Sequence, residues 1–386
     1  MSTLKVDAIR HNSATSDAIT TAADGTCTAK LTSVGGGQLS HRNLFVNGAC
    51  RIGQRGSTSL GSGYGGVDRW VQFIGGGGAT TTSQDTDVPT GQGFRNSIKL
   101  DVTTALASGS SNWAWLGQYI EAQDCQSVCK GTSNAKQLTL QFWVKSPKTG
   151  THTVRLDVSD SSDGVGATYT VSSANTWEKK TVTFPASTSG TINDDNGRGI
   201  QVFWVLSAGT TYSSGTLNTT WASWTNANTA PGQPNILDST SNNFYLTGVQ
   251  LEVGDTATTF EHRSFADELA HCQRYFYRVS AAASGTGSHK HLNTMQYYAG
   301  QNPYGKMLDL PVPMRTIPTG SFTGDIRAWT AAGSNNGSFT TINFDRNDNL
   351  FLASNGSTTN SNSGSAGNAT PMTLYPSSTM SADAEL

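Results

Sequence analysis

The chain has 386 residues, and 25 Lys and Arg against 27 Asp and Glu give it a formal net charge of −2. This length exceeds the usual size of one domain and suits two. The sequence has no basic stretch typical of a nucleic-acid interface, and no apolar window long enough for membrane insertion. Charged residues are only 13% of the chain, and 42 residues are Gly. A composition rich in Gly, Ser, Thr and Asn favours turns and strands over helices.

The first 40 residues are small, polar and poor in apolar side chains. Leu4, Val6 and Ala8 alternate and predict one short strand. So few apolar groups cannot offset the entropy of ordering this segment alone. We therefore expect residues 1–34 to be disordered or to bury their strand against another chain, with the glycines at 35–37 as a flexible joint. The first residues also lack the apolar region of a signal peptide, so secretion is not expected.

Residues 41–263 contain short runs in which apolar and polar residues alternate. The first run to show it clearly places four apolar side chains on one face, namely Leu138, Leu140, Phe142 and Val144. Similar runs cover residues 154–158, 182–184, 200–206 and 245–251. In the run 200–206 the opposite face is also partly apolar, and in the last run Tyr245 is expected to share a face with Val249 and Leu251. Such runs predict an all-β fold, an antiparallel jelly-roll sandwich of about eight or more strands.

Residues 264–278 are predicted to form one helix that connects this sandwich to the rest of the chain. Ser264 and Asp267 have the spacing of a capping box, with Asp in place of the usual Glu or Gln. The apolar positions at helical spacing are Phe265, Leu269, Cys272 and Phe276. Glu268 lies off this stripe.

Residues 279–386 are predicted to form a second, smaller β domain. Apolar residues at 342–344 and 350–352 flank a polar segment, which indicates a hairpin with its turn near Asn347 and Asp348.

Several short segments carry a resemblance to a known family. They are Asn-Leu-Phe-Val-Asn-Gly at 43–48, Arg-Ile-Gly-Gln-Arg-Gly at 51–56 and Val-Asp-Arg-Trp at 67–70. More specific is Val-Gln-Leu-Glu-Val-Gly at 249–254, followed by Thr-Phe-Glu-His-Arg at 259–263 and Cys-Gln-Arg-Tyr at 272–275. Together they resemble bacteriophage tail fibre proteins, of the marine and cyanophage kind, that contain a jelly-roll domain like a carbohydrate-binding module.

The resemblance implies a homotrimer that is part of the virion and is assembled in the host cytoplasm. Residues 1–40 would then be the virion-attachment and trimerisation segment, with residues 1–34 held by a tail hub, adaptor or nozzle protein. The domain at 279–386 would form the tip and bind a receptor. The expected partner outside the virion is a host surface polysaccharide or lipopolysaccharide, and neither nucleic acid nor membrane insertion is expected.

Sugar binding needs aromatic faces for the sugar ring and nearby amides or carboxylates for its hydroxyls. Trp221 and Trp224 lie in a loop rich in Thr, Asn and Ala, where burial is least assured. A second candidate group in the C-terminal region comprises Tyr297, Tyr298, Asn302 and Tyr304. Trp113 and Trp115 share a face if their segment is extended. The first two groups are the predicted ligand-binding residues.

No catalytic residue, metal or cofactor is predicted. Glu261 and His262 are an adjacent acid and histidine, as an acid–base catalyst would need. Because they lie just before the predicted helix, a structural role is the favoured interpretation. The acidic turns near Asp157 and at 193–197 do not have the full spacing of a calcium loop. Five cysteines leave at least one without an intramolecular partner, and free structural thiols are favoured over a disulfide between Cys125 and Cys129.

The predicted function is therefore that of a structural tail-fibre component that attaches a phage to the host surface, without enzymatic activity. Two alternatives remain. One is a purely architectural fibre or adaptor protein that binds no receptor. The other is a polysaccharide depolymerase, which usually needs a long repeated β-helix that this sequence does not contain.

Overall fold

The computed structural model describes residues 6–10, 12–13, 18–23, 27–29, 40–56, 58–60, 62–107, 109–283, 289–298, 302–304, 309–329, 335–338, 343–344, 351–352 and 369–386. Near the start, β1 (Ala8–Ile9), β2 (Ile19–Thr21) and β3 (Cys27–Ala29) form an antiparallel sheet. Leu4 of the predicted strand and the glycine joint at 35–37 lie outside the described residues.

Two antiparallel sheets pack face to face and form a jelly-roll sandwich, which confirms the predicted fold class. In chain order its strands are β4 (Thr58–Leu60), β5 (Ser62–Tyr64), β6 (Val71–Gly75), β7 (Ala79–Asp85), β8 (Ser97–Thr104), β9 (Trp113–Glu121), β10 (Leu138–Lys145), β11 (Gly150–Val158), β12 (Asp163–Val171), β13 (Trp177–Phe184), β14 (Arg198–Ala208), β15 (Ala222–Ser223) and β16 (Asn243–Val253). The six-stranded sheet has the order β13-β10-β16-β8-β7-β4, and the seven-stranded sheet has the order β15-β12-β11-β14-β9-β6-β5.

The core lies between the two sheets and contains a group of aromatic rings. Trp204 is central, with its ring centre 5.7 Å from that of Trp70 and 5.3 Å from that of Phe142. Phe45 joins Trp70 at 5.7 Å. All four side chains are fully buried, as are the other apolar residues of the alternating run on β10. The period-two pattern therefore identified the inner face of this strand correctly.

The alternation on β16 is interrupted, and the prediction that Tyr245 shares a face with Val249 and Leu251 is wrong. Leu246 and Val249 are both fully buried in the core, although they are an odd number of positions apart. The pairing with β10 shifts register between Gln141 and Trp143, and Gly248 has a positive φ of 59°. A β-bulge at this point moves the strand on by one residue, so Tyr245 belongs to the outer face.

Helix α2 (Phe265–Gln273) is shorter than predicted, because the chain enters strand β17 at Phe276. Its start is as expected, since the Ser264 hydroxyl accepts a hydrogen bond from the backbone N–H of Asp267. The burial differs: Phe265 is 51% exposed, whereas Glu268 is buried and its carboxylate accepts a hydrogen bond from the backbone N–H of Asn47. Glu268 is thus a structural acceptor that helical spacing alone does not reveal.

The other helical segments in the described residues are short: α1 (Thr210–Ser213) and two 3-10 turns, Ala122–Val128 and Asn226–Asn228. In the part of the chain that the structure describes, no helix has the length and apolar character needed to cross a membrane.

The C-terminal region contains further antiparallel sheets. Its strands are β17 (Phe276–Ser280), β18 (Lys290–Tyr298), β19 (Asn302–Tyr304), β20 (Thr319–Thr323), β21 (Ile326–Trp329), β22 (Asn335–Ser338), β23 (Asn343–Phe344), β24 (Phe351–Leu352), β25 (Ala369–Leu374) and β26 (Thr379–Asp383). They form the sheets β17-β26-β20, β19-β18-β25-β21-β22 and β23-β24. The pairing of β23 with β24 confirms the predicted hairpin strands, while the turn near Asn347 and Asp348 lies outside the described residues.

Residues 383–386 return to the sandwich and are held there by buried charges. The Arg69 guanidinium is fully buried, bonds the carboxylate of Glu385, and donates at 2.5 Å to the carbonyl of Tyr119. The ring of Tyr275 stacks on this guanidinium, with 3.4 Å from Cζ to the ring centre. The Tyr64 hydroxyl donates to the carbonyl of Leu386 at 2.9 Å. These contacts join the sandwich to the segment after α2 and to the last strand.

His152 is fully buried and has a neutral hydrogen-bond partner at each ring nitrogen. Its Nε2 lies 3.1 Å from the carbonyl of Lys148 and its Nδ1 lies 3.2 Å from Nε2 of Gln233. The Gln233 amide is oriented by its Oε1, which accepts from the backbone N–H of Thr153. His152 therefore carries its proton on Nε2 and accepts at Nδ1.

We predict that this histidine makes the fold sensitive to acid. Burial lowers the pKa of His152 below its usual 6.5, so the unfolded chain takes up a proton first as the pH falls. Above about pH 6.5, His152 should not affect the free energy of unfolding. Below that pH, the free energy of unfolding should decrease by up to about 1.4 kcal/mol per pH unit. Denaturant titrations between pH 7 and pH 5 measure this slope. His152→Gln should lose this contribution, so the difference in slope between the variant and the wild type isolates His152 from Asp157 and His271, whose pKa values are also shifted.

We also predict that Glu385→Gln costs about 3 kcal/mol of stability, because it leaves the buried Arg69 charge without a counterion. The matched control is Asp383→Asn. Asp383 is 44% exposed and lies 3.2 Å from Arg55, so loss of its charge is compensated by solvent and should cost less than about 1 kcal/mol. Equal costs in chemical denaturation would contradict the role given to Glu385.

Candidate functional site

The outer face of the seven-stranded sheet carries a cluster of aromatic side chains, named here the aromatic platform. Its members are Phe73, Trp113, Trp115, Phe203, Tyr212 and Trp224. They meet because β6, β9 and β14 are adjacent and because alternate residues of a strand project to the same side. Trp113 and Trp115 lie two apart on β9, which confirms that they share a face.

The platform has a buried base and an accessible rim. Trp115 and Phe203 form the base, with ring centres 5.4 Å apart, and both are buried. Trp113 is half-buried and stacks on Tyr212 at 5.0 Å with 20° between the planes. Trp224 is 39% exposed and meets Trp113 edge to face at 6.4 Å. An apolar surface of this kind offers a flat ring face to a ligand from solvent.

Polar groups surround Trp224. Its indole Nε1 donates to the Asn226 side-chain oxygen at 2.7 Å, which holds the ring in place. The amide nitrogen of Asn226 takes no part in this bond. The Arg155 guanidinium lies 4.9 Å from the ring centre and donates to Asp157 at 2.9 Å. Burial raises the pKa of Asp157 to about 6, although Arg155 opposes the shift. In the described part of the chain, the second carboxylate oxygen of Asp157 has no hydrogen-bond partner. Aromatic, amide and charged groups thus meet at one place.

The structure separates the two predicted tryptophans. Trp224 belongs to the platform, whereas Trp221 packs against the sandwich core. The Trp221 indole donates to the carbonyl of Pro185 at 2.7 Å, and the ammonium of Lys130 lies 4.1 Å from its ring centre. These contacts give Trp221 a structural role.

For the C-terminal candidates the structure describes only the backbone. Tyr298 pairs with Asn302, and Tyr304 pairs with the residue before Tyr297, in the hairpin of β18 and β19. The side chains of these four residues lie outside the described part of the structure. Their role in binding stays a prediction.

Three platform residues, Phe73, Phe203 and Tyr212, and the neighbouring Arg155 were missed by the sequence-based prediction. Phe203 had a signal, because the run 200–206 is partly apolar on both faces, and such a strand is covered on both sides. Phe73 and Tyr212 come from a distant strand and a short helix, so no local pattern links them to Trp113. Arg155 lies inside an apolar run, and nothing in the sequence indicates that it packs beside Trp224.

The other chemical candidates are used structurally. Glu261 accepts a hydrogen bond from the backbone N–H of Asn43 at 2.9 Å, while His262 packs against Phe94 and Phe260. Among the described residues, no cluster of three or more His, Cys, Asp or Glu side chains has the arrangement of a metal site. Among the cysteines whose side chains the structure describes, Cys50, Cys125, Cys129 and Cys272 are free thiols. Burial raises the pKa of the Cys125 thiol to about 12, which keeps it protonated and unreactive.

No protein-family profile matches the chain, and no curated protein matches it. Solved structures resemble part of it. A tailspike enzymatic domain of bacteriophage CBA120 is 13% identical with a TM-score of 0.28, over 55% of this chain and 21% of that domain. The family 11 carbohydrate-binding module of a Clostridium thermocellum cellulosomal cellulase is 13% identical with a TM-score of 0.26, over 54% of this chain and 98% of the module. A xylan-binding domain from Paenibacillus barcinonensis is 11% identical with a TM-score of 0.25, over 58% of this chain and 100% of that domain.

We predict that the two loop tryptophans differ in their contribution to stability. Trp221→Ala removes a packed ring, its hydrogen bond and its contact with Lys130, and should cost about 2 kcal/mol. Trp224→Ala removes a ring on the rim and should cost less than about 1 kcal/mol. Urea unfolding of both variants decides this, and a larger loss for Trp224→Ala would contradict the assignment.

Proposed function

We propose that the protein binds carbohydrate and does so through the aromatic platform. The observation that carries the proposal is the exposed ring of Trp224, which is held by Asn226 and lies beside Trp113 and Arg155. The C–H face of a sugar ring stacks on such an indole, and an exposed amide such as that of Asn226 bonds its hydroxyls. The buried base formed by Trp115 and Phe203 keeps this surface rigid, which reduces the entropy lost on binding.

We further propose that this binding attaches a phage virion to its host, as part of a tail fibre. The resemblance of residues 43–56 and 249–275 to tail fibre proteins supports this, and a surface polysaccharide or lipopolysaccharide is the proposed receptor. We assign no catalytic residue, because Glu261 and His262 both make structural contacts, with Asn43 and Phe260 respectively.

Assembly as a homotrimer would multiply weak sites. At and just before the small sheet of β1 to β3, Ile9 is 54% exposed and Val6 is 41% exposed, which leaves apolar surface available to a partner chain. We propose that this segment contacts symmetry-related chains and the tail hub, adaptor or nozzle protein. Three sites on one fibre then give avidity without any single tight contact.

The burial of Trp115 and Phe203 also fits a second candidate function. Much of the aromatic face is used in packing, as in a purely architectural fibre protein that leaves recognition to another component. Binding of the isolated full-length protein to host cells distinguishes the two functions.

We predict that Trp224→Ala weakens binding of the full-length protein to host cells about tenfold, which corresponds to the loss of about 1.4 kcal/mol of stacking. Flow cytometry with labelled protein measures this. Phe265→Ala is the matched control, since Phe265 is also an exposed aromatic residue but lies on α2 away from the platform. Equal binding by the Trp224→Ala variant and the wild type would contradict the role of the platform.

A further inference from the structure

A groove of about 300 Å³ lies on the opposite, six-stranded sheet. Its walls include Phe94, Gln141, Trp143, Lys179, Thr258 and Phe260. This volume is at the lower end of the ~300–1,000 Å³ that small-molecule sites have, and it suits one or two sugar rings.

The bulge on β16 shapes this groove. Gly248 lies at the bulge with φ of 59°, and a Cβ there would lie 2.5 Å from the ring of Phe94. Only glycine lets the Phe94 ring approach the strand so closely. Phe94 then meets Phe260 edge to face at 5.1 Å, and these two rings form an apolar wall.

Gln141 supplies an unpaired acceptor beside that wall. Its side chain is 1% exposed, and its Nε2 donates to the carbonyl of Thr258 at 2.6 Å. Because a carbonyl only accepts, this bond fixes which end of the amide is the oxygen. No group among the described residues forms a hydrogen bond with the Oε1 atom. A buried acceptor without a partner is unfavourable, so a ligand that brings an O–H or N–H is favoured here.

Trp143 and Lys179 are direct cross-strand partners on β10 and β13. The indole of Trp143 is half-buried and the Lys179 side chain is exposed. The neighbouring cations are already paired, Lys145 with Asp87 and Lys180 with Glu178. Among the described residues Lys179 makes no ion pair, so it is available to an anion.

We propose that this groove binds an acidic sugar residue of the uronic acid class. A sugar hydroxyl donates to Oε1 of Gln141, the ring stacks on Trp143, and the carboxylate pairs with Lys179. The site is separate from the aromatic platform and does not depend on it, because the two surfaces lie on opposite faces of the sandwich.

The test is calorimetry on the full-length protein with trigalacturonate, a mannuronate trisaccharide and a hyaluronan tetrasaccharide, each compared with neutral maltotriose. We expect at least one acidic probe to bind about tenfold more tightly than maltotriose. Lys179→Gln should remove that preference without affecting folding, because the side chain is exposed. Lys136→Gln makes the same charge change outside the groove and should keep the preference.

Trp143→Ala should weaken binding of the acidic probe at least tenfold, provided that circular dichroism shows the native fold. The inference is overturned if none of the three acidic probes binds, or if Lys179→Gln binds them as the wild type does. Loss of acidic-sugar binding in Trp224→Ala, with binding retained in Lys179→Gln, would place the ligand on the platform. That result would reject this groove and leave the proposed function intact.

Discussion

The buried guanidinium of Arg69 is the interaction on which the arrangement of the chain depends. It bonds a carboxylate from residues 383–386, a carbonyl of β9 and the ring of Tyr275, so three distant segments meet at one charge. Removing a charge from water is costly, and the carboxylate, the carbonyl and the aromatic ring together offset that cost. The sandwich, the segment after α2 and β26 therefore have to assemble together around this group.

The C-terminal residues that meet Arg69 also cover part of the seven-stranded sheet. Residues 385 and 386 lie against one end of its outer face, where the Tyr64 hydroxyl bonds the carbonyl of Leu386. The base of the aromatic platform is buried, and accessible aromatic surface is concentrated around Trp224 and Trp113. A rigid rim of this kind suits a receptor that is bound weakly at each site and repeatedly along a surface.

The groove on the six-stranded sheet is shaped by a local irregularity. The bulge at Gly248 moves β16 by one residue, which turns Tyr245 outward and lets Phe94 approach the strand. Bulges often re-aim side chains in this way at binding sites.

The sequence by itself determined the features that depend on neighbours along the chain. Alternation identified the all-β class and the inner face of β10, and the spacing of Ser264 and Asp267 identified where α2 begins. It also placed Trp113 and Trp115 on one face. These are short-range effects of backbone geometry, which composition and spacing report directly.

Only the tertiary structure decided the features that depend on distant residues. Trp221 and Trp224 look equivalent in the sequence, yet the first bonds Pro185 and the second lies on the rim of the platform. The burial of Glu268 likewise depends on Asn47, more than two hundred residues away. A periodic pattern tells which face of an element is apolar. It does not tell which polar or aromatic group will be left without a partner when the elements pack together.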